Sequence, residues 1–257
     1  MKIVLEKCII AHNTGLGDHI MMNGAVRSLL DIYDEVYILT YNKKVKNVRH
    51  MYRDEPRIYV VPEKDAEGAQ QAQKKIRKLQ HQYRLEGFDT RMFFWPYMNH
   101  WKDIIKKVGL DPVESCWCEA FYKAVDVDYK ERYASFHFER DNNREREIFK
   151  RLKLPKEYIF VAKKRANRRI HDFKLDTDLP IIDPDSFRFH SLVFDWMSVI
   201  ENATEIHTID TSWFHLIKSM RLNNKPKFFH RYARPVPACG ENYLNDEYDN
   251  GWTDLRE

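Results

Sequence analysis

Short apolar runs alternate with amphipathic segments along the whole chain. Runs rich in β-branched and aromatic residues predict strands at 2–11, 35–41, 57–62, 88–95, 158–164, 179–185, 205–210 and 225–230. Between them, helical spacing of apolar positions predicts helices at 20–33, 67–85, 142–155, 192–203 and from 211 onward. Because strands and helices alternate through short connections, we expect parallel sheets covered by helices on both faces.

This alternation occurs twice, with an irregular aromatic stretch around 116–133 between the two series. We therefore predict an α/β fold of two Rossmann-like lobes that face a cleft, with an N-terminal lobe at 1–125 and a C-terminal lobe at 126–257. The tail at 238–255 shows no period and predicts neither a helix nor a strand. The lysine- and glutamine-rich helix at 67–85 lacks an evident apolar stripe, which indicates a solvated face.

Composition and charge narrow the function classes. The chain has 257 residues, 43% of them hydrophobic, which is enough for a substantial core. Its 43 basic and 39 acidic side chains leave a net charge of only +4, which suits anionic small molecules as well as nucleic acid. No run approaches the ~18 apolar residues of a membrane helix, and the first residues lack the cleavage site of a signal peptide.

The four cysteines have irregular spacing, so neither a disulfide framework nor a paired zinc motif is indicated. Cys116 and Cys118 flank Trp117 and are too close in sequence to be good disulfide partners. We interpret both as buried thiols and expect a reducing, cytoplasmic location.

A glycine turn, Gly15-Leu16-Gly17-Asp18, lies between the first strand and the first helix. Such a turn directs backbone N–H groups and the positive helix end toward the sheet edge, where ligands of open α/β sheets bind. The dinucleotide-binding fingerprint is not met, because a third glycine is missing and Asp18 would repel a pyrophosphate. A P-loop is excluded because no Gly-Lys-Ser/Thr follows the turn. Alternatively, the glycines only form a tight turn and Asp18 caps the helix.

A second stretch, "EIHTIDTSWFHL", ends a strand at Asp210 and begins a helix. The hydroxyls of Thr211 and Ser212, with the free N–H groups of the first turn, suit phosphate oxygens, and Asp210 can accept hydrogen bonds from sugar hydroxyls. His215 follows one turn along the helix. The alternative is a capped helix with a buried histidine.

Together the two stretches resemble the heptosyltransferase-like glycosyltransferases of the GT-B fold. "GLGDHIMMNGAVRSL" is similar to their N-terminal pattern of a small residue, x, Gly, Asp, eight residues, Arg, x and Leu, and "IDTSWFHL" to their C-terminal Asp-Thr-Gly-x-x-His-Leu motif. The resemblance implies an acceptor-binding N-terminal lobe and a C-terminal lobe for a sugar nucleotide. Ser212 replaces the glycine of that motif.

The resemblance also implies residue roles. Asp18 corresponds to the catalytic aspartate, the general base toward an acceptor hydroxyl in inverting transfer. Thr211 and Ser212 would hold the donor diphosphate, Asp210 the donor sugar, and His215 would steady the same loop. The family places a lysine for the leaving diphosphate where this chain has "AKKRANRR", so the donor-binding candidates there are Lys163, Lys164, Arg165, Arg168 and Arg169.

The sequence also offers candidate residues for acceptor binding and one candidate motif for a metal site. Gly17 and His19 adjoin the base, and the aromatic stretch at 93–101 offers Trp95 and Tyr97 as flat faces for a sugar. "DVDYK" (126–130) matches the Asp-x-Asp letters of metal-dependent transferases but has no flanking apolar strand. Because the basic loop and helix N-termini can neutralise a diphosphate, we expect no metal and no cofactor.

The sequence thus predicts a glycosyltransferase that moves a sugar from a nucleotide-diphosphate sugar to a glycan or glycoconjugate, with no nucleic-acid partner. One alternative is a fucosyltransferase-like enzyme of the same fold that uses a GDP-sugar. Another is a non-catalytic basic module that binds nucleic acid or another polyanion, whose affinity would fall steeply with salt.

Overall fold

A computed structural model of the chain describes residues 5–11, 15–64, 69–92, 105–112, 115–164, 173–187, 189–231 and 251–255. The chain divides into two compact units, Met1–Glu139 and Arg140–Glu257. Each unit is built around one parallel sheet. In the described part of the chain, no helix has both the length and the apolar composition needed to cross a membrane.

The first unit contains a four-stranded sheet of order β3-β2-β1-β4 in which every pairing is parallel. Its strands are β1 (Leu5–Ala11), β2 (Tyr33–Tyr41), β3 (Ile58–Glu63) and β4 (Asp89–Met92). Its helices are α1 (Leu16–Met21), α2 (Asn23–Ser28), α3 (Val45–Met51), α4 (Ala69–Leu85), α5 (Trp117–Ala124) and α6 (Glu131–Ala134). The central strands are the most apolar, and Ile9, Ile10, Val36 and Ile38 are fully buried, as expected for strands covered on both faces.

The second unit contains a five-stranded parallel sheet of order β6-β5-β7-β8-β9. Its strands are β5 (Ile159–Ala162), β6 (Ile181–Ile182), β7 (Glu205–Thr208), β8 (Lys227–His230) and β9 (Trp252–Leu255). Its helices are α7 (Asn142–Leu152), α8 (Met197–Asn202) and α9 (Ser212–Met220). Because the strands are parallel and the helices connect them, α8 and α9 both begin at the carboxyl edge of this sheet.

The division between the units lies after residue 139, further along the chain than the boundary predicted after residue 125. The intervening segment packs on the first unit because Gly24 of α2 leaves room for the backbone of α6, where a Cβ on Gly24 would lie 1.9 Å from the Glu131 carbonyl oxygen. Further along, the amide of His137 donates to Oδ1 of Asn23 at 2.9 Å. These contacts place α6 and the residues after it with the first unit.

Several features of the fold differ from the sequence expectations. The helix predicted at 20–33 is divided into α1 and α2 and ends before β2 begins, and α3 lies where no helix was predicted. The stretch interpreted as irregular contains α5, and the tail without a period contains β9, which pairs with β8 from Lys227↔Trp252 onward. Helix α4 does have an apolar stripe, since Ile76, Leu79 and Tyr83 pack against the core residues of β1 and β2. The many lysines and glutamines of α4 obscured a stripe of one residue per turn.

Candidate functional site

In the first unit, Asp18 lies in the first turn of α1, just after the carboxyl end of β1. The amide of Gly15, the residue that precedes the helix, donates to Oδ2 of Asp18 at 3.1 Å. A Cβ on Gly15 would lie 2.8 Å from the same oxygen, so the close approach of the carboxylate depends on glycine. The turn therefore holds Asp18 in one place and also caps its own helix.

The residues beside Asp18 have different surroundings. His19 is fully buried, and its Nε2 lies 2.8 Å from Oγ1 of Thr40 near the carboxyl end of β2. This contact fixes the glycine turn to the sheet, so His19 can influence an acceptor only by positioning that turn. Gly17 is half-buried in α1. Trp95 and Tyr97 lie outside the described residues.

Arg27, the arginine of the N-terminal pattern, makes a structural contact. Its guanidinium donates to both carboxylate oxygens of Asp54, at 3.0 and 2.8 Å, and to the carbonyl of Met51. Burial alone would raise the pKa of Asp54, but the hydrogen bonds and charge of Arg27 hold that pKa below its ordinary value. Arg27 therefore joins α2 to the turn after α3.

In the second unit, Thr211 is the N-cap residue of α9 and has an extended backbone, with φ −146° and ψ 178°. Its side chain makes no capping hydrogen bond, and its Oγ1 is buried without a hydrogen-bond partner among the described residues. The first-turn amides of any α-helix also lack intrahelical partners. A buried hydroxyl and unpaired amides at one helix end are suited to an anionic group.

Asp210 and His215 lie on either side of this helix start. Oδ1 of Asp210 is 3.6 Å from Nε2 of His215, and their side chains are only 12% and 7% exposed. Ser212 is the first residue of α9 and is half-buried. The structure thus brings together all four residues predicted from the second stretch, at the carboxyl edge of β7.

The basic loop begins at the same edge, after β5. Nζ of Lys164 lies 3.0 Å from Oδ1 of Asp185, in the turn after β6. Burial raises the pKa of the neighbouring Asp183, against the opposing charges of Lys163 and Lys164. Arg165, Arg168 and Arg169 lie outside the described residues. Both described lysines therefore lie at the edge that Thr211 and Asp210 share, and Lys164 is paired with a carboxylate there.

A chain of titratable groups with two buried histidines was not predicted from the sequence. Nε2 of His207 lies 3.3 Å from Oε2 of Glu205, and its Nδ1 lies 2.9 Å from Nε2 of His230. Burial lowers the pKa of His207, and burial with the nearby His207 lowers the pKa of His230 to about 4. The available signal was the spacing of Glu205 and His207, which places both on one face of β7.

Among the described residues, no cluster of three or more histidine, cysteine, aspartate or glutamate side chains is arranged to hold a metal ion. Asp126 and Asp128 of "DVDYK" line a cavity of about 390 Å³ after α5, on the first unit alone. In the part of the chain that the structure describes, Cys8, Cys116 and Cys118 are buried and form no disulfide bond, which confirms the interpretation of Cys116 and Cys118 as buried thiols.

Known proteins provide a fold-level comparison. No protein-family model matches the sequence, and a search of curated proteins finds no significant match. Among solved structures, the chain is similar to a family 9 glycosyl transferase from Veillonella parvula, with TM-score 0.54 and 9% identity over 99% of this chain and 87% of that one. It is also similar to E. coli ADP-heptose lipopolysaccharide heptosyltransferase II, with TM-score 0.56 and 11% identity over 98% and 90% of the two chains.

A third similar structure is the iron-containing dodecameric glycosyltransferase TibC from enterotoxigenic E. coli, with TM-score 0.55 and 10% identity, of which the match covers 64%. The chain has the fold of these glycosyltransferases. The predicted α/β class with two Rossmann-like lobes is therefore confirmed. At 9–11% identity the likeness concerns the fold alone, so activity depends on the site.

Proposed function

We propose that this protein is a glycosyltransferase that moves a sugar from a nucleotide-diphosphate sugar to a hydroxyl of a glycan or glycoconjugate, with inversion and without a metal ion. The observation that carries the proposal is the buried hydroxyl of Thr211, without a described partner, at the N-cap of α9. A protein that left this hydroxyl unused would lose free energy by burying it. A donor diphosphate would supply the missing acceptor oxygen.

The donor site in this proposal is the carboxyl edge of the second sheet. Thr211, Ser212 and the first-turn amides of α9 bind the diphosphate, and Lys163 and Lys164 neutralise its charge. Asp210 accepts hydrogen bonds from donor-sugar hydroxyls, with His215 holding its carboxylate at 3.6 Å. Arg165 and Arg169 are further candidates from the basic loop. Fixed positive charge at a leaving diphosphate stabilises the transition state without reorganisation.

In the chemical step, the acceptor oxygen forms a bond to the anomeric carbon while the bond from that carbon to the diphosphate oxygen breaks. The acceptor proton moves to Asp18, and the electron pair of the broken bond leaves with the nucleoside diphosphate. The hydrogen bond from Gly15 supports this role because it fixes the carboxylate that receives the proton. Gly17, His19, Trp95 and Tyr97 remain the proposed acceptor-side residues.

The test is a binding panel of UDP, GDP, ADP, CDP and dTDP, read as the shift in melting temperature. ADP belongs in it because one of the similar structures is an ADP-heptose transferase. At least one nucleotide should stabilise the wild type by mass action. Thr211→Val should abolish most of that shift, whereas Thr204→Val, at an exposed threonine of the same unit, and Asp18→Ala should retain it.

The outcomes separate the alternatives. A shift with GDP alone would favour the GDP-sugar enzyme among the sequence alternatives. If no nucleotide stabilises the protein while nucleic acid does so in a salt-sensitive manner, the transferase proposal is wrong and the polyanion-binding module replaces it.

A further inference from the structure

Four aromatic rings of the second unit form a connected group, here called the aromatic cluster: Phe187, Phe189, Trp196 and Trp213. Trp196 is its centre and is only 1% exposed. The ring centroids of Phe187 and Phe189 each lie 5.8 Å from that of Trp196, and the centroid of Trp213 lies 6.1 Å from it. The three outer rings are half-buried, so they form the surface of the cluster.

The aromatic cluster lies at the same sheet edge as the candidate donor site. Trp213 is the second residue of α9, two positions after Thr211. Phe187 directly follows the short 3-10 turn Pro184–Ser186, which begins after the carboxyl end of β6. Asp185 in that turn pairs with Lys164 at 3.0 Å. One edge therefore holds the buried hydroxyl, a lysine for phosphate and half-buried aromatic rings.

The outer rings differ in how their faces are covered. Phe189 stacks on Trp196 with an interplanar angle of 9°, and the guanidinium of Arg151 lies 5.9 Å from the ring centroid of Phe189. Phe187 instead meets Phe189 and Trp196 at 43° and 51°. Trp213 meets Phe160 and Trp196 at 65° and 83°. Thus, among the ring contacts of the described residues, neither Phe187 nor Trp213 has a parallel ring stacked on its face.

We propose that Phe187 and Trp213, whose rings both contact Trp196, form the stacking surface for the nucleobase of the donor. This inference rests on the proposed function, because it assigns the base to a site whose diphosphate lies at Thr211. Stacking on an aromatic ring tolerates any base, since every base has a π-face. Nucleoside diphosphates of several bases should therefore bind, and the two-ring purines should bind more tightly than the pyrimidines because they cover more ring area.

Calorimetric titration with ADP, UDP and inorganic pyrophosphate tests this assignment. Phe187→Leu should weaken ADP binding by about tenfold, the effect of losing one base–aromatic stack, and should leave pyrophosphate binding unchanged. Phe189→Leu is the matched control, because it removes a ring of the same cluster whose faces are already covered. It should leave the advantage of ADP over pyrophosphate intact.

Different failures have different meanings. If ADP binds Phe187→Leu as tightly as wild type, or if pyrophosphate weakens in parallel with ADP, Phe187 does not hold the base and the proposed function stands alone. If neither nucleotide nor pyrophosphate binds the wild type, both proposals are wrong.

A second readout does not depend on the folding of the Phe187 variant. Stacking of a base beside Trp213 should quench tryptophan fluorescence, so ADP should quench the wild type more than pyrophosphate does. Trp213→Phe should lose most of that difference. Equal quenching by ADP and pyrophosphate in the wild type would overturn the assignment.

Discussion

The amide of Gly15 donates a 3.1 Å hydrogen bond to Oδ2 of Asp18, and a Cβ at Gly15 would lie 2.8 Å from that oxygen. This position of the carboxylate therefore depends on a glycine at residue 15. This relationship explains why a glycine precedes the helix here, although its backbone, with φ −69° and ψ 146°, suits any residue. It also makes the carboxylate testable by two independent substitutions.

Asp18→Asn removes the proton acceptor and keeps the size of the side chain. Since the amide oxygen of asparagine can still accept from Gly15, the fold and nucleotide binding should be unchanged. Release of nucleoside diphosphate from the donor in the presence of acceptor should fall by roughly 10²–10⁴-fold, as expected for loss of a general base. Turnover near the wild-type rate would exclude Asp18 as the base.

Gly15→Ala keeps the carboxylate of Asp18, but the added Cβ forces that carboxylate to move. We expect turnover to fall by roughly 10- to 100-fold, because small displacements of a catalytic group are costly. The free energy of unfolding should change by less than about 1 kcal/mol, since alanine fits this backbone. Urea denaturation beside the rate measurement checks both, and a stable variant with full activity would contradict the proposed positioning.

We expect the folded protein to lose stability in acid because His207 and His230 are buried. The folded pKa of each histidine lies below the ordinary 6.5, with that of His230 at about 4. Between these values the unfolded chain binds more protons than the folded one, so stability is full above pH 6.5 and is lost as the pH falls toward 4. The lowered pKa of Asp54 acts only below its ordinary value of 3.8, whereas the raised pKa of Asp183 acts above 3.8 and opposes the loss of stability on acidification.

Thermal melts between pH 4 and pH 8 test this prediction. His230→Phe keeps a ring against Phe173, whose centroid lies 3.7 Å from that of His230, and should show a shallower loss of melting temperature on acidification. His190→Gln, at an exposed histidine, should follow the wild-type curve. Identical curves for wild type and His230→Phe would show that these histidines do not cause the acid sensitivity.

Arg140 lies at the start of the second unit, and we expect it to contribute strongly to the free energy of unfolding. Its guanidinium binds Glu145, which is 1% exposed, and Glu201. Hydrogen bonds to these two carboxylates raise the pKa of Arg140 above its ordinary value. Arg140→Ala would leave Glu145 buried and charged without its partner, so the free energy of unfolding should fall by about 3–5 kcal/mol.

The control is Arg151→Ala, which removes an exposed pair with Glu147 one turn away on α7 and the contact of Arg151 with the ring of Phe189. Such pairs contribute less than about 1 kcal/mol. Urea denaturation of both variants measures the contrast. Similar losses in the two variants would mean that Glu145 is satisfied by Ser198 alone, through the hydrogen bond of 2.6 Å between them.

Much of the fold could be predicted because local patterns and the strand positions agree. The strands expected from apolar runs form β1 to β8. The glycine turn follows the carboxyl end of β1, and the turn that contains Thr211 follows the carboxyl end of β7. Helix α5 and strand β9 were not predicted because their partners are distant in sequence. Helix α5 packs through Tyr122, whose hydroxyl donates to the carbonyl of Met21 at 2.7 Å. Strand β9 pairs with β8 across a long connection.

The sequence by itself determined the parallel α/β architecture, the position of Asp18 after the first strand and that of Thr211 at a helix start, because periodicity and turn chemistry are local properties. Only the tertiary structure decided that Thr211 has a buried hydroxyl without a described partner, that Arg27 binds Asp54, and that Phe187 lies near Trp196. Burial and partner choice depend on residues far apart in the chain, which come together only when the sheets and helices pack.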